Sequence, residues 1–202
     1  MLHTKILAAG TLRVLRRLME DPSMAPFYLV GGTALALRLG HRLSIDLDLF
    51  RDDSFSAGEL LAHLRGWPGF REVSKAPNTI NAYLDGVKVD LISYRYPRLE
   101  PIAVIDGVRL LGEPDLAAMK LSAVCSRGRK KDFFDIAALL DRHPLKLMLD
   151  WFQQKYEGSE RFMVVRSLSY FGDAESDPDP GPLDGTDWEV VKQKLEDAVA
   201  GL

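Results

Sequence analysis

With one cysteine, Cys125, among 202 residues, the chain can form no internal disulfide and no multi-cysteine metal site. The expected role of that thiol is helix packing. No apolar run approaches the length needed to cross a bilayer, and Met1–Leu7 contains no long apolar stretch followed by a small-residue cleavage site. The expectation is therefore a cytoplasmic chain without a membrane partner. His3, His41, His63 and His143 show no helical H-x-x-x-H spacing, which argues against zinc. The strings G-x-x-x-x-G-K-[ST] and G-x-S-x-G are both absent, as is any internal repeat. A strong charge of one sign is missing too: 26 basic against 29 acidic residues leave −3, which taken whole speaks against a basic nucleic-acid binder and a polybasic anchor. The whole conceals a division. Residues 173–202 hold nine acids and two bases, a local −7, so residues 1–172 carry +4.

The chain does have ordinary soluble composition, 47% hydrophobic and 27% charged, and enough length for a sizeable core. Leu7, Val14 and Leu18, with Thr11 between, predict an amphipathic helix over 4–20, stopped at Asp21-Pro22. Phe27–Val30 reads as a short buried strand ending at Gly31-Gly32, with helical composition from Thr33. Ser44 to Phe50 alternates Ile45, Leu47 and Leu49 with Asp46 and Asp48, the period of a strand with one polar face. Ser56 and Glu59 form a capping box for a helix over 57–66. Strands are expected at 70–75, 79–84 and 87–94, the last two joined by Asp85-Gly86. From Pro114 the pattern turns helical: 114–126, 132–140, 145–156 and 159–171, with 173–187 as a linker or surface loop and a last helix started by the box Thr186–Glu189. The reading is an α+β chain, with a mixed half at 1–112 and a helical half at 113–202.

Asp46 and Asp48 project from one strand face, where two carboxylates repel unless a cation lies between them. Oxygen ligands of that kind suit magnesium. A bare D-x-D taken alone favours a solvated strand face or an edge strand protected by charge, but in Val87–Ile92 the apolar residues face one way and Asp90, with Lys88, the other. If the two strands are neighbours with that face open, three carboxylates converge and can hold two magnesium ions, as two-metal phosphoryl or nucleotidyl transfer requires. Gly31-Gly32-Thr33 at a strand-to-helix junction allows backbone N–H groups to approach a phosphate, with Thr33 as helix cap or hydroxyl donor. Residues 120–131 carry Lys120, Arg127, Arg129, Lys130 and Lys131 and no acid, a local positive patch suited to phosphates or RNA. Asp132 and Asp135 share a helix face and are expected to pair with Arg127 or Arg129 and cap the second helix. His41-Arg42, before the acidic strand, is read about equally as a substrate contact and as loop surface.

The run Gly31 to Phe50, followed by Val89-Asp90 and then Lys120, Arg127 and Lys131-Asp132-Phe-Phe-Asp135, resembles the AbiEii/AbiGii family of nucleotidyltransferases over about residues 25–142. The resemblance implies a DNA-polymerase-β-like mixed sheet with flanking helices and a helical C-terminal half. By position, Asp46, Asp48 and Asp90 would bind the metals (Mg²⁺, with Mn²⁺ serving the same ligands). Asp90 would also help deprotonate the acceptor hydroxyl. Gly31, Gly32, Thr33, Arg127 and Arg129 would surround the nucleotide and Lys120 would neutralise its triphosphate, supported by Asp132 and Asp135. The implied reaction transfers NMP from an NTP to an acceptor hydroxyl, in several relatives the tRNA 3′ end, in the toxin half of a type IV toxin–antitoxin system with an antitoxin encoded nearby. The competing reading is a non-catalytic nucleotide- or protein-binding module on the same fold; a D-x-D glycosyltransferase is disfavoured by the short chain and the upstream G-G-T turn.

Overall fold

A computed structural model describes residues 1–202. Its strands are β1 (Tyr28–Val30), β2 (Leu47–Arg51), β3 (Arg71–Ala76), β4 (Thr79–Leu84), β5 (Val87–Ser93), β6 (Ala103–Ile105) and β7 (Val108–Leu110). Its α-helices are α1 (Ala9–Glu20), α2 (Gly31–Leu39), α3 (Ala57–Leu64), α4 (Glu113–Ser126), α5 (Lys130–Leu140), α6 (Leu145–Lys155), α7 (Arg161–Leu168) and α8 (Trp188–Ala200). The strands form one mixed sheet in the order β3-β4-β5-β2-β1-β7-β6, with β2 parallel to β5 and antiparallel to β1. The α+β architecture with a helical second half is as expected.

Alternation decides which side chains the sheet offers. Leu47 and Leu49 of β2 and Val87, Val89 and Leu91 of β5 are buried, so Asp48 and Asp90 take the other face. The parallel register sets Asp48 directly opposite Asp90, while Val30, the last residue of β1, is paired with Asp48 from the other side. The turn from β1 into α2 is made by Gly31 at φ +68°, a left-handed conformation that a side chain would strain. α2 then packs on α4 and α5, which brings the α4–α5 junction beside the carboxylate strands. One hydrophobic cluster of 49 buried residues runs from Leu2 to Leu195 and draws on both halves of the chain.

Several details differ from expectation. Residues 4–20 divide into a 3₁₀ turn (Thr4–Ile6) and α1, and β2 begins only at Leu47, leaving Ser44–Asp46 irregular. A hairpin that the sequence reading omitted, β6–β7, closes one edge through Asp106-Gly107, the same left-handed turn pair as Asp85-Gly86. The cap of α8 is Asp187, whose side chain accepts from Val190 N–H, rather than Thr186. Cys125 is exposed on α4 instead of packed in a helix interface. No helix is long and apolar enough to cross a membrane.

Candidate active site

The two carboxylates of the D-x-D, Asp90, the start of α2 and the α4–α5 loop all open into one cavity of about 440 Å³. Neither Asp46 nor Asp48 accepts a side-chain hydrogen bond from the protein. Burial and then the neighbouring charge of Asp90 push the Asp48 carboxyl above its ordinary value. Asp90 is differently placed: Asn81 of β4 donates to its Oδ1 (2.8 Å) and Lys88 to its Oδ2 (2.8 Å). No three acidic, histidine or cysteine side chains stand at metal-ligand spacing. The donor chemistry nonetheless fits a hard divalent cation: Asp48 offers carboxylate oxygens without a hydrogen-bond partner directly opposite Asp90 on the parallel strand, where Lys88 is the cation already at hand.

The glycines at the start of α2 have a steric reason. A Cβ on Gly31 would lie 2.7 Å from Asp48 Oδ2, and one on Gly32 would collide with the Arg42 guanidinium. Bare backbone is therefore required for Asp48 and Arg42 to occupy their places. The first N–H groups of α2 have no intrahelical acceptor and line the cavity, where they suit an anion. Thr33 is buried, and its hydroxyl is committed to the Asp46 carbonyl and to the Ser44 hydroxyl. That side chain positions the Asp46 loop rather than offering a free donor to phosphate.

Behind the cavity is a buried ionic knot. Lys120 of α4, only 4% exposed, reaches Asp132 Oδ1 (2.8 Å) and Asp135 Oδ2 (2.6 Å) of α5. Arg42 grips Asp135 with two nitrogens, at 2.7 and 2.9 Å, and His41 Nε2 adds a third contact at 2.6 Å. Burial alone would raise Asp135, yet the charges of Lys120 and Arg42 outweigh it and hold the carboxyl well below the usual range. Asp132 takes a fork from Arg127 (3.0 and 3.2 Å), the expected partner. Arg129, the other expected partner, turns away to Asp177 (2.7 Å).

All the residues singled out for metal and nucleotide binding line this cavity, whereas Asp132 and Asp135 stand behind it as counter-charges to Lys120 and Arg127. Sequence reasoning missed Asn81, whose partner register places it beside Asp90, and the structural use of Arg42 and His41. It also missed that residues 177–180 of the expected linker or surface loop form part of the cavity wall. Lys131 is the cavity-lining cation without an ion-pair partner; its place in an acid-free basic run was the available signal.

Comparisons agree with this geometry. The profile of the family described as "Nucleotidyl transferase AbiEii toxin, Type IV TA system" matches residues 13–102 and 87–200. The "uncharacterized protein aq_aa25" of Aquifex aeolicus (strain VF5) is 39% identical over 178 residues, covering 83% of each chain. Among solved structures, the nucleotidyltransferase toxin MenT4 from Mycobacterium tuberculosis H37Rv shares the fold with a TM-score of 0.61 at 17% identity, over 96% of this chain and 86% of that one. JHP933 from Helicobacter pylori gives 0.56 at 17% identity, over 96% and 92%. With Asp48 on β2, Asp46 just before it, a third carboxylate opposite on β5 and a family match across both halves, the chain belongs to the AbiEii nucleotidyl transferase toxin family of type IV toxin–antitoxin systems.

Proposed function

We propose that the chain is a Mg²⁺-dependent nucleotidyltransferase that transfers NMP from an NTP to an acceptor hydroxyl, breaking the α–β phosphoanhydride bond and releasing pyrophosphate, with the 3′ end of tRNA as the acceptor and an antitoxin as its protein partner. The observation that carries the reading is the pairing of Asp48 with Asp90 across parallel strands, beside Asp46 and facing the start of α2 in one cavity. Asp46, Asp48 and Asp90 would hold magnesium, which supplies charge neutralisation at the triphosphate and acidification of the acceptor hydroxyl. Joining that set requires Asp90 to release Lys88.

The chain's own residues then divide the work. Backbone N–H groups of Gly31 and Gly32 receive phosphate oxygens at the helix start, and Lys131 and Arg129 face the same cavity from the α4–α5 junction. Lys120 acts mainly through position: it neutralises Asp132 and Asp135 and so fixes the junction that presents those cations. Thr33 fixes Asp46 through its backbone carbonyl. Asp90, once released from Lys88, would serve as the base that takes the acceptor proton.

The test is transfer of labelled nucleotide from each NTP to total tRNA, with and without Mg²⁺, for wild type and Asp48→Ala. Metal-dependent labelling by wild type, and a loss of about 10³-fold or more in the variant, is expected for removal of a metal ligand. Equal labelling by both proteins would overturn the assignment of Asp48. A protein that binds NTP with Mg²⁺ in calorimetry yet labels nothing would be the non-catalytic module.

A further inference from the structure

The acidic segment between α7 and α8 is laid across the mouth of the cavity and fastened on both sides. On the α5 side, Asp177 Oδ2 accepts from Arg129 Nε (2.7 Å) and from the Lys130 backbone N–H (3.0 Å). Lys130 Nζ holds the carbonyls of Asp177 (2.8 Å) and Glu175 (3.3 Å). On the α2 side, Leu43 N–H donates to the Gly181 carbonyl (3.1 Å) and Leu183 N–H to the His41 carbonyl (3.0 Å). Between the two fastenings, Asp177, Pro178, Asp179 and Pro180 face the same cavity as Asp46 and Asp48.

This placement is electrostatically odd for a simple wall. A carboxylate sits on the first free amide of α5 and on an arginine of the basic junction, which is the position an incoming phosphate oxygen would take. The segment 173–187, with six acids and no base, brings a local −6 to a site built to receive a polyanion. The ion pair of its latch is a modest one, because Arg129 is 54% exposed even though Asp177 is 16% exposed. Apart from Ala174, the segment 173–187 contributes no buried residue, so lifting it breaks little packing.

We propose that residues 173–187 form an autoinhibitory strap, in which Asp177 occupies the anion position at Arg129 and the start of α5 until a substrate phosphate displaces it. The proposal rests on the reading of the cavity as a triphosphate site. It makes Arg129 a ligand for substrate only after the strap has moved.

The test titrates inorganic triphosphate with Mg²⁺ into wild type, Asp177→Ala and Asp177→Glu by calorimetry. Loss of one exposed charged competitor should tighten binding by Asp177→Ala about five-fold, with Asp177→Glu near wild type. A second readout follows the strap itself: endoproteinase Glu-C cleavage after Glu175 of wild type should accelerate on adding triphosphate. Wild-type binding that is unchanged or weakened by Asp177→Ala, or a strap protected from cleavage by triphosphate, would overturn the autoinhibitory contact while leaving the cavity assignment standing. No triphosphate binding by any of the three proteins would overturn the cavity assignment, and the strap proposal with it.

Discussion

Replacing Asp135 by Asn tests the ionic knot at its centre. Asp135 is fully buried and serves Lys120 at 2.6 Å, Arg42 through two bonds and His41 through one. Together with Asp132 it balances Lys120, Arg42 and Arg127. The isosteric change leaves three cations around one carboxylate, two of them buried. Removing one partner of a buried pair costs about 3–5 kcal/mol, a large fraction of the roughly 5–15 kcal/mol total of a domain. For a chain of this size that converts to a fall in melting temperature of roughly 6–20 °C, at about 2–4 °C per kcal/mol. Calorimetric or dichroism melts at neutral pH measure it, with Lys194→Ala as a control. That lysine pairs with Asp141 in the open, and its loss should cost under about 1 kcal/mol. An Asp135→Asn protein melting within 2 °C of wild type, on the order of the control effect, would refute the claim that Lys120 and Arg42 are held as structural charges.

Three further predictions follow from the same contacts. Because Asp135 and Asp132 are held below their unfolded values, their stabilisation is present above about pH 4 and drains away as pH falls through the lower folded values; the acid limb of a stability curve should be steeper in wild type than in Asp135→Asn. Asp48 has the opposite sign, since burial and Asp90 penalise its charge, so Asp48→Asn in chelator should melt no lower than wild type while losing metal-dependent activity. Gly31→Ala combines a left-handed backbone with a Cβ 2.7 Å from Asp48 Oδ2, and should cost about 1 kcal/mol or more of stability and displace Asp48, read as lost Mg²⁺-dependent nucleotide binding.

What could be read from the sequence was what local pattern controls. Alternation in 44–50 and 87–92 put Asp48 and Asp90 on polar faces, and composition alone marked the basic run at 120–131. The neighbouring of β2 and β5 was a condition, not a derivation, because parallel pairing leaves no local trace. The hairpin β6–β7 escaped because three-residue strands carry too little periodicity, even though Asp106-Gly107 repeats the turn signal used at Asp85-Gly86. Arg42 and His41 were ambiguous because their partner is more than 90 residues away. The loop at 173–187 was read by composition as solvated, and composition does not say what a solvated loop lies against.

The charges of the cavity also bear on what kind of ligand suits it. Asp46, Asp48 and Asp90 lie on the strand side, whereas Arg127, Arg129 and Lys131 lie on the α4–α5 side. A bare polyanion would satisfy the junction but face three carboxylates across the same cavity, and a bare cation would satisfy the carboxylates while leaving Lys131 unpaired. In the structure the protein supplies both kinds of counter-charge itself, Lys88 to Asp90 and Asp177 to Arg129. A ligand that carries a divalent cation on a phosphate chain offers both at once and can exchange with each internal pair, ion for ion, without leaving a charge uncompensated. This double exchange predicts mutual dependence: triphosphate without divalent cation, and divalent cation without triphosphate, should each bind far more weakly than the two together. Independent binding of the two, with no coupling between them, would mean that Lys88 and Asp177 are not the groups being replaced.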